Sequence, residues 1–401
     1  MKSPTLTSQK PFNMLMQLQT QDFYILLENT KSTEDDALLF EHPMEEIICR
    51  DGRQLHECLQ RIDALRRQGY YLAGYVSYEA GYFLVDKKDF ITNQTEHNDV
   101  ILLHMYAFKD VVKIAQTEVN EYFKQLDVGD AQLKNITFGL SQADYVKGFD
   151  VIQKNIKDGN TYQINFTTKF KFDCEGRDLA LYQSLRARQK VEFGAILKFS
   201  EYSVLSISPE LFFKKHGQRI ESKPMKGTFA RHSDPIQDQA VIDFMRHDDK
   251  TLSENVMIVD LIRNDMSRIT QPGSVSVKNL FEIQSYETVH QMISTVTGKV
   301  DSDIFVETIF TNLFPCGSIT GAPKISTMQI IESLEKEPRG VYTGAIGYIT
   351  PENDMCFNVP IRTVVLNHDG QAELGVGGGI IHGSVFEEEY NECLLKAKFL
   401  T

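Results

Sequence analysis

A short strand, followed by a lysine in a segment rich in turn-forming residues, constrains this chain more than any other feature. Residues 204–208 alternate in the period-two pattern of a half-buried strand, which the next proline ends. Glu210 therefore stands at a strand end, and Lys226 precedes Gly227 in the segment 221–231. Such a lysine is either a surface residue of a Pro/Gly turn or a nucleophile. A lysine nucleophile needs a largely deprotonated amine, which burial or a neighbouring cation favours.

Composition narrows the class of protein. The chain has 401 residues, of which 42% are hydrophobic, and a net charge of −13. A chain of this size can bury a large core, and its length alone favours two or three domains. The acidic balance argues against nucleic acid as a partner. Because no apolar run approaches the ~18 residues of a membrane span, we expect no membrane insertion.

Cysteine usage and the N-terminus indicate the compartment. The six cysteines are scattered and form no Cys-x-x-Cys pair, which favours reduced, packing cysteines and no zinc site. The first 18 residues lack the layout of a signal peptide. We therefore expect a cytoplasmic protein.

The chain divides into two sub-regions near the polar residues 127–130. Residues 1–130 form an N-terminal sub-region, with predicted strands over 23–29 and 69–79 and a helix over 56–67. Residues 131–401 carry the remaining motifs. In this part, apolar residues at helical spacing predict a helix over 145–156 that stops at a glycine, and a strand over 161–167 follows. Gln163 lies on that strand, and because a buried amide must be hydrogen-bonded, it is either structural or a ligand contact.

Carboxylates on two predicted helices form the next pattern. Thr251 and Glu254 fit a capping box that opens a helix, yet Glu254 also shares the apolar face, where a charge needs a cation partner. Glu389, Glu392 and Lys396 form one stripe on the last helix, over 386–399. The stripe is either a solvated ion-pair face or half of a site for a hard divalent cation, with Glu254 supplying the other half.

Two glycine-rich segments and one histidine complete the candidates. The segments 317–324 and 375–380 miss the spacing of nucleotide-binding motifs, but as loops they can present backbone N–H groups to an anion. His290 lies in a strand-like run, where a histidine is either structural or functional.

Taken together, these motifs resemble the chorismate-utilising enzymes: anthranilate synthase component I, aminodeoxychorismate synthase component I, and the isochorismate and salicylate synthases. The resemblance is dense from about residue 140 to the C-terminus and is carried by the segments 208–210, 224–228, 254–265, 314–324, 342–348, 361–363, 377–380 and 389–392. It implies one large α/β (α+β) domain, in which two extended antiparallel sheets pack face to face as a β sandwich with helices outside.

The residues at two positions distinguish the branches of the family. Enzymes that add water to chorismate carry a lysine where this chain has Gln163, and anthranilate synthases carry a small residue where it has Lys226. The resemblance therefore implies the aminodeoxychorismate branch, which converts chorismate and ammonia to 4-amino-4-deoxychorismate for 4-aminobenzoate and folate. Anthranilate synthase component I is the nearest alternative. A non-catalytic regulatory subunit that binds chorismate or an amino acid is the alternative from another class, and a nucleotide-binding protein is the third.

The resemblance also implies roles for individual residues. Glu210 would protonate the departing C4 hydroxyl, Lys226 would attack C2, and His290 would orient groups or handle protons. Mg²⁺ would be held by Glu254 and Glu392, with Glu389 acting through water. The substrate pocket would be lined by Arg362, Lys396, Tyr342, Thr320, Gln163, Gly377, Gly378 and Gly379.

The resemblance to the family also implies a nitrogen source, and it shows where this sequence departs from the family pattern. Because the chain has no Cys-His-Glu amidotransferase segment, we expect a separate glutamine amidotransferase subunit, component II, to supply ammonia in a heterodimer. Cys316 stands where glycine or alanine is usual, and His382 and Gly383 stand where small or acidic residues are common.

Overall fold

Antiparallel strands dominate the structure, a computed structural model that describes residues 9–85, 100–286 and 289–400. Within these ranges the helices are α1 (Gln9–Gln17), α2 (Leu55–Arg67), α3 (Ala80–Leu84), α4 (Gln116–Gln125), α5 (Gln142–Lys157), α6 (Asp178–Arg188), α7 (Pro235–Met245), α8 (Asp249–Ser267), α9 (Val306–Leu313), α10 (Lys324–Leu334) and α11 (Phe386–Lys396). Short 3₁₀ turns cover Leu18–Thr20, Gly52–Gln54 and Gly317–Ile319.

The strands of the same ranges are β1 (Tyr24–Glu28), β2 (Asp36–Phe40), β3 (Glu45–Cys49), β4 (Tyr71–Val76), β5 (Leu103–Phe108), β6 (Val112–Ala115), β7 (Gln132–Phe138), β8 (Gln163–Glu175), β9 (Phe193–Lys198), β10 (Tyr202–Ser208), β11 (Leu211–His216), β12 (Arg219–Lys223), β13 (Met225–Ala230), β14 (Ser276–Ser285), β15 (Val289–Lys299), β16 (Gly321–Ala322), β17 (Ala345–Ile349), β18 (Met355–Asn358), β19 (Thr363–Asn367) and β20 (Gln371–Ile381).

These strands form two ten-stranded sheets. The first has the order β16-β8-β20-β19-β10-β9-β1-β2-β6, and β7 also pairs with β8. The second has the order β13-β15-β12-β11-β18-β17-β4-β5-β3, and β14 also pairs with β15. Strands from both sides of residue 130 occur in each sheet. The proposed division of the chain into sub-regions at that point stays a prediction.

One large hydrophobic core joins the two sheets. It contains Leu26 and Leu205 from the first sheet and Phe213 and Val296 from the second, all nearly or fully buried. The helices cover the outside, and α8 and α11 contact strands of different sheets, β15 and β20. The prediction of two antiparallel sheets surrounded by helices is confirmed.

Most of the predicted elements are present, and three local predictions are wrong. Helix α8 begins before the proposed capping box, because the side chain of Asp248 accepts a hydrogen bond from the Thr251 amide and is the N-cap. Lys226 lies in strand β13, where Gly227 forms a bulge with φ +78°, rather than in a Pro/Gly turn. The glycines over 375–380 lie inside β20, because this strand pairs with β8 along its whole length, and do not form a loop.

Candidate active site

The glycine run of β20 forms the floor of the candidate site. Gly377, Gly378 and Gly379 pair with residues 165–167 of β8. The Gly377 carbonyl accepts a hydrogen bond from the Lys396 ammonium at 2.7 Å, so its main chain points away from β8. Because the backbone direction alternates along an antiparallel ladder, Gly379 points the same way, and Gly378 points toward β8. Two of the three predicted amides therefore face the open side of the strand.

Two predicted residues, Lys226 and Gln163, approach this strand at one glycine. A Cβ atom built on Gly379 would lie 2.7 Å from the Gln163 amide nitrogen and 3.6 Å from the Lys226 amine. Only a residue without a side chain leaves room for both groups. The Lys226 amine also donates to the Ser318 carbonyl at 3.0 Å, which anchors it beside the turn Gly317–Ile319.

The Gln163 side chain is fully buried, and neither its amide nitrogen nor its amide oxygen has a hydrogen-bond partner among the residues that the structure describes. An unpaired buried amide costs about 1–3 kcal/mol. This pattern is more typical of a ligand contact than of a structural amide, because the described part of the chain leaves both polar atoms unsatisfied. The role of Gln163 as a ligand contact stays a prediction.

Glu210 is also buried, and one of its carboxylate oxygens has no hydrogen-bond partner within the described ranges. Its backbone is held between strands, since its N–H donates to the Ser208 hydroxyl and its carbonyl accepts from Val359. Burial raises the pKa of Glu210, and the neighbouring Ser318 hydroxyl and Lys226 oppose that shift. A carboxyl group with a raised pKa can hold a proton near neutral pH and act as a general acid.

Three glutamates from two helices form an acidic cluster beside the glycine strand. A Cβ atom on Gly378 would lie 3.4 Å from a carboxylate oxygen of Glu389 and 3.7 Å from one of Glu392. Burial raises the pKa of Glu254, and the charges of Glu389 and Glu392 raise it further, against the opposing effect of Lys226 and Lys250. The cluster therefore joins α8 to α11.

Two lysines partly neutralise this cluster. Lys396 pairs with Glu392 at 2.6 Å, so the i,i+4 ion pair predicted as the alternative reading is present. The Lys396 charge lowers the pKa of Glu392, and Glu392 in turn raises the pKa of Lys396 against the effect of burial. Lys250 lies 3.4 Å from the nearly buried Glu389. Glu254 has no ion pair among the described residues.

The donor set fits a hard divalent cation held by few protein ligands. Among the residues that the structure describes, no three His, Cys, Asp or Glu side chains are grouped as a complete metal cage. Mg²⁺ is usually held by only one or two carboxylates, together with waters and substrate oxygens. Glu254 and Glu392 offer such carboxylates. Burial is the main cause of the raised pKa of Glu254, and the charges of Glu389 and Glu392 add to it, so a cation bound here would relieve both effects.

Arg362 and Tyr342 lie on adjacent loops. Arg362 adopts φ 53°, which is uncommon for a residue with a side chain and frequent at functional sites. Burial lowers its pKa to about 10. The amide of Thr343, next to Tyr342, donates to the Pro360 carbonyl, so the two loops are hydrogen-bonded to each other. No carboxylate pairs with Arg362 in the described part of the chain, which leaves its guanidinium available for an anion.

Thr320 has a structural role in this structure. Its hydroxyl donates to the carbonyls of Cys316 and Gly317, and its own carbonyl accepts from the Asn165 amide. It thereby attaches the segment that contains Ser318 to strand β8. A direct contact between Thr320 and substrate stays a prediction.

His290 is apart from the contacts described above. It lies on β15, is fully buried, and its two ring nitrogens contact the Ser285 hydroxyl at 2.8 Å and Asp238 at 2.9 Å. Asp238 also pairs with Arg231. These contacts match the structural reading of this histidine, and its predicted role in catalysis stays a prediction.

A cleft of about 490 Å³ opens next to the acidic cluster. Its lining includes Glu254, Met257, Ile381 and His382. Glu254 is the only predicted site residue in that lining, so the cleft adjoins the candidate site without containing it.

Sequence reasoning missed two residues of the site, Lys250 and Ser318. Lys250 lies in the first turn of α8 and contacts Glu389 on α11. Ser318 contacts Lys226 from the turn Gly317–Ile319. Both act across elements distant in sequence, so no local spacing indicates them.

A partly buried lysine, a carboxyl group with a raised pKa and an acidic cluster surround the glycine strand. With an arginine that has no carboxylate partner in the described ranges, they give this α+β enzyme a site that can bind an anion. The chain belongs to the chorismate binding enzyme family, whose sequence profile matches residues 22–401. In the described ranges no helix is both long and apolar enough to cross a membrane.

Several curated relatives of the chain are named aminodeoxychorismate synthase. An aminodeoxychorismate synthase of Streptomyces griseus is 43% identical over 63% of this chain and 35% of its own length. Component 1 of the Bacillus subtilis enzyme is 32% identical over 79% of this chain and 69% of its own length. The crystal structure of anthranilate synthase component I from Streptococcus pneumoniae matches with a TM-score of 0.76 at 21% identity, over 100% of both chains. The predicted resemblance is thus confirmed.

The extent of these matches differs between relatives. The chain spans 28–35% of the length of three curated relatives that it matches, two of them from plants. The crystal structure shares the fold, and its low identity carries no information on the reaction.

Proposed function

We propose that this chain is component I of an aminodeoxychorismate synthase, in which chorismate and ammonia give 4-amino-4-deoxychorismate and water. The observation that supports the proposal is the position of Lys226. Its amine and the Gln163 amide, which is unpaired within the described ranges, both approach Gly379, and its charge acts on the buried Glu210 carboxyl. The relatives named aminodeoxychorismate synthase support it.

The proposed reaction has two displacement steps. The Lys226 amine forms a bond to C2 of chorismate while the ring double bond shifts and the C4–O bond breaks. Glu210 gives its proton to the departing hydroxyl, which leaves as water. Ammonia then forms a bond to C4, the double bond shifts back, and the C2–N bond to Lys226 breaks. Overall, an amino group replaces the C4 hydroxyl, and Lys226 is regenerated.

Charged groups around the glycine strand would bind the substrate carboxylates. Arg362 offers a planar fork for the enolpyruvyl carboxylate, and the amides of Gly377 and Gly379 can donate to an anion. Glu254 and Glu392 would hold Mg²⁺, with Glu389 acting through water. When bound, the ion would supply positive charge for the ring carboxylate.

The proposal includes a partner and a compartment. We expect a glutamine amidotransferase subunit to supply ammonia to this chain in a heterodimer, and we expect the complex to be cytoplasmic. The purified chain alone should then use ammonium salts and not glutamine. Turnover with glutamine by the chain alone would contradict this assignment of the nitrogen source.

Product identification from chorismate, an ammonium salt and Mg²⁺ tests the reaction directly. We expect 4-amino-4-deoxychorismate from the wild-type chain. Lys226→Ala should abolish this product while chorismate binding, followed by fluorescence titration, remains. Lys226→Arg should also be inactive, because the guanidinium keeps the charge and is not a nucleophile. Lys223→Ala, which changes a partly exposed lysine three positions away, is the matched control and should keep activity.

The outcomes separate the alternatives. Anthranilate as the wild-type product would assign the chain to the anthranilate branch. Chorismate binding without turnover would favour the regulatory subunit. If both Lys226 variants form 4-amino-4-deoxychorismate at near wild-type rates, the covalent role of this lysine is wrong.

A further inference from the structure

Strand β8 has a gap in its pairing opposite the glycine run of β20. On the side of β8 that faces away from β20, β16 pairs with residues 163–164 and β7 pairs with residues 170–175. In the described part of the chain no strand pairs with residues 165–168 on that side. Asn165 and Thr167, which lie in the gap, are ladder partners of two of the glycines in β20. Their outward backbone groups need other hydrogen-bond partners.

Two side chains, Arg339 and Glu335, supply these partners. The Glu335 carboxylate accepts hydrogen bonds from the amide and the hydroxyl of Thr167, both at 2.9 Å. The Arg339 guanidinium donates to the Asn165 carbonyl at 2.7 Å. The two side chains also form a bidentate ion pair, with both N–O distances at 2.8 Å, and they are only 2% and 7% exposed. The pair therefore completes the edge of β8 in place of a strand.

The same guanidinium reaches the turn that anchors Lys226. Its Nη1 donates to the Ile319 carbonyl at 2.8 Å. Ile319 follows Ser318, whose carbonyl accepts the hydrogen bond from the Lys226 amine at 3.0 Å. A guanidinium is planar and presents its N–H groups in a fixed fork. One rigid group thus sets the spacing between the Asn165 carbonyl on β8 and the Ile319 carbonyl in the turn.

Arg339 is itself held from two further sides. Its main-chain N–H and that of Gly340 donate to the buried Glu79 carboxylate at 2.6 Å and 3.0 Å. The guanidinium lies over the Tyr78 ring, 4.2 Å from the ring centroid. Because β8 is fixed by its long ladder with β20, the arginine passes the position of the strand on to the turn.

We infer that Arg339 is a positioning residue that fixes the turn Gly317–Ile319 relative to strand β8, and with it the Lys226 amine relative to Gly379. The inference rests on the proposed function, because the position of this amine affects turnover only if Lys226 takes part in the reaction. Arg362 and the acidic cluster lie on other elements. A shift of the turn should therefore lower turnover and leave chorismate binding nearly unchanged.

Arg339→Lys tests the inference, and Arg186→Lys is the matched control. A lysine keeps the positive charge beside Glu335, but its single ammonium group on a flexible stem cannot reproduce the fork that joins the two carbonyls. Arg186 forms a similarly buried pair with Glu28 at 2.8 Å, and the partners of that pair lie on α4, α6 and β1, which carry no candidate site residue. Both variants should lower the urea midpoint.

Only Arg339→Lys should affect the reaction. We expect turnover to fall roughly 10- to 100-fold, since a misplacement of about 1 Å in a positioned group has an effect of this size. The KM for chorismate should stay within about threefold of the wild-type value. Amide hydrogen exchange, followed by mass spectrometry on a peptide that covers residues 314–322, gives a readout independent of turnover. Exchange there should be faster in Arg339→Lys and unchanged in Arg186→Lys.

Three results would overturn the inference: wild-type turnover in Arg339→Lys, unchanged exchange in residues 314–322, or an equal loss of turnover in Arg186→Lys, which would follow stability alone. Lys226→Ala separates this failure from failure of the proposed function. If Lys226→Ala is inactive while Arg339→Lys turns over like the wild type, only the inference is wrong. If Lys226→Ala keeps wild-type turnover, the proposed nucleophile is wrong and the inference fails with it.

Discussion

Replacement of Gly379 by alanine directly tests the place where the Gln163 and Lys226 side chains both approach strand β20. The new methyl group would lie 2.7 Å from the Gln163 amide nitrogen, where an ordinary contact requires at least 3.4 Å. Gln163 must then withdraw by about 0.7 Å to relieve the overlap. The Lys226 amine, at 3.6 Å, is already at contact distance and loses its freedom to move toward the strand.

The size of the effect follows from this displacement. A misplacement of about 1 Å in a positioned group can cost roughly 10²-fold in rate. The expected shift of Gln163 is a little smaller than 1 Å, and we therefore expect Gly379→Ala to lower turnover roughly 30-fold or more. Gly378→Ala is the matched control: its methyl group would lie 3.4 Å and 3.7 Å from the carboxylates of Glu389 and Glu392, which are ordinary contacts. It should change turnover by less than about threefold.

Steady-state measurement of product formation gives turnover and KM for both variants, and fluorescence titration gives chorismate binding. Circular dichroism confirms that both variants fold. If Gly379→Ala retains wild-type turnover and KM, the space between Gln163, Lys226 and β20 is not where the reaction occurs. Equal losses in the two variants would show that any added methyl group on this strand lowers turnover. The loss in Gly379→Ala would then no longer support a reaction site between Gln163, Lys226 and β20.

Two further predictions concern charge. Glu254→Gln should abolish Mg²⁺-dependent turnover and yet raise the urea midpoint of the metal-free chain at about pH 8. The reason is that a carboxylate whose pKa is raised in the folded state destabilises the fold above its unfolded pKa. The gain should vanish near pH 4, and a lower midpoint at pH 8 would contradict the reasoning. Lys324→Met should lower the free energy of unfolding by about 3 kcal/mol, because it leaves the buried Asp265 without its partner, which now lies 2.6 Å away. Adding Asp265→Leu to the same chain should recover most of the loss, whereas additive losses from the two substitutions would refute the pairing.

Local pattern was sufficient where an element depends on its own residues. The alternation over 204–208 predicted β10, and the apolar spacing from Tyr145 predicted α5, which Ser141 caps and which ends before Gly159. Both elements carry their signals within a few residues. The densest motifs were also sufficient to predict the family and the two-sheet fold.

Competing local signals explain two of the wrong predictions. Asp248 and Thr251 are both good N-cap residues three positions apart, and the structure uses the first, so Glu254 is free of any capping role. The glycines of β20 have the composition of a loop, yet the ladder with β8 extends over them. That ladder joins residues about two hundred positions apart, and no window of local sequence contains it.

The charge of the candidate site indicates how a strongly acidic chain would bind the dianionic substrate of the proposed reaction. The site combines four carboxylates with four cationic groups, namely Glu210, Glu254, Glu389 and Glu392 with Lys226, Lys250, Lys396 and Arg362. Fully ionised, these groups sum to no net charge, and a dianionic substrate would gain little from them. Protonation of Glu210 makes the site positive, and a divalent cation on the acidic cluster makes it more so. Under the proposed function, the raised pKa of Glu210 would have two effects, since the proton that Glu210 would give to the leaving hydroxyl would also favour the arrival of the substrate.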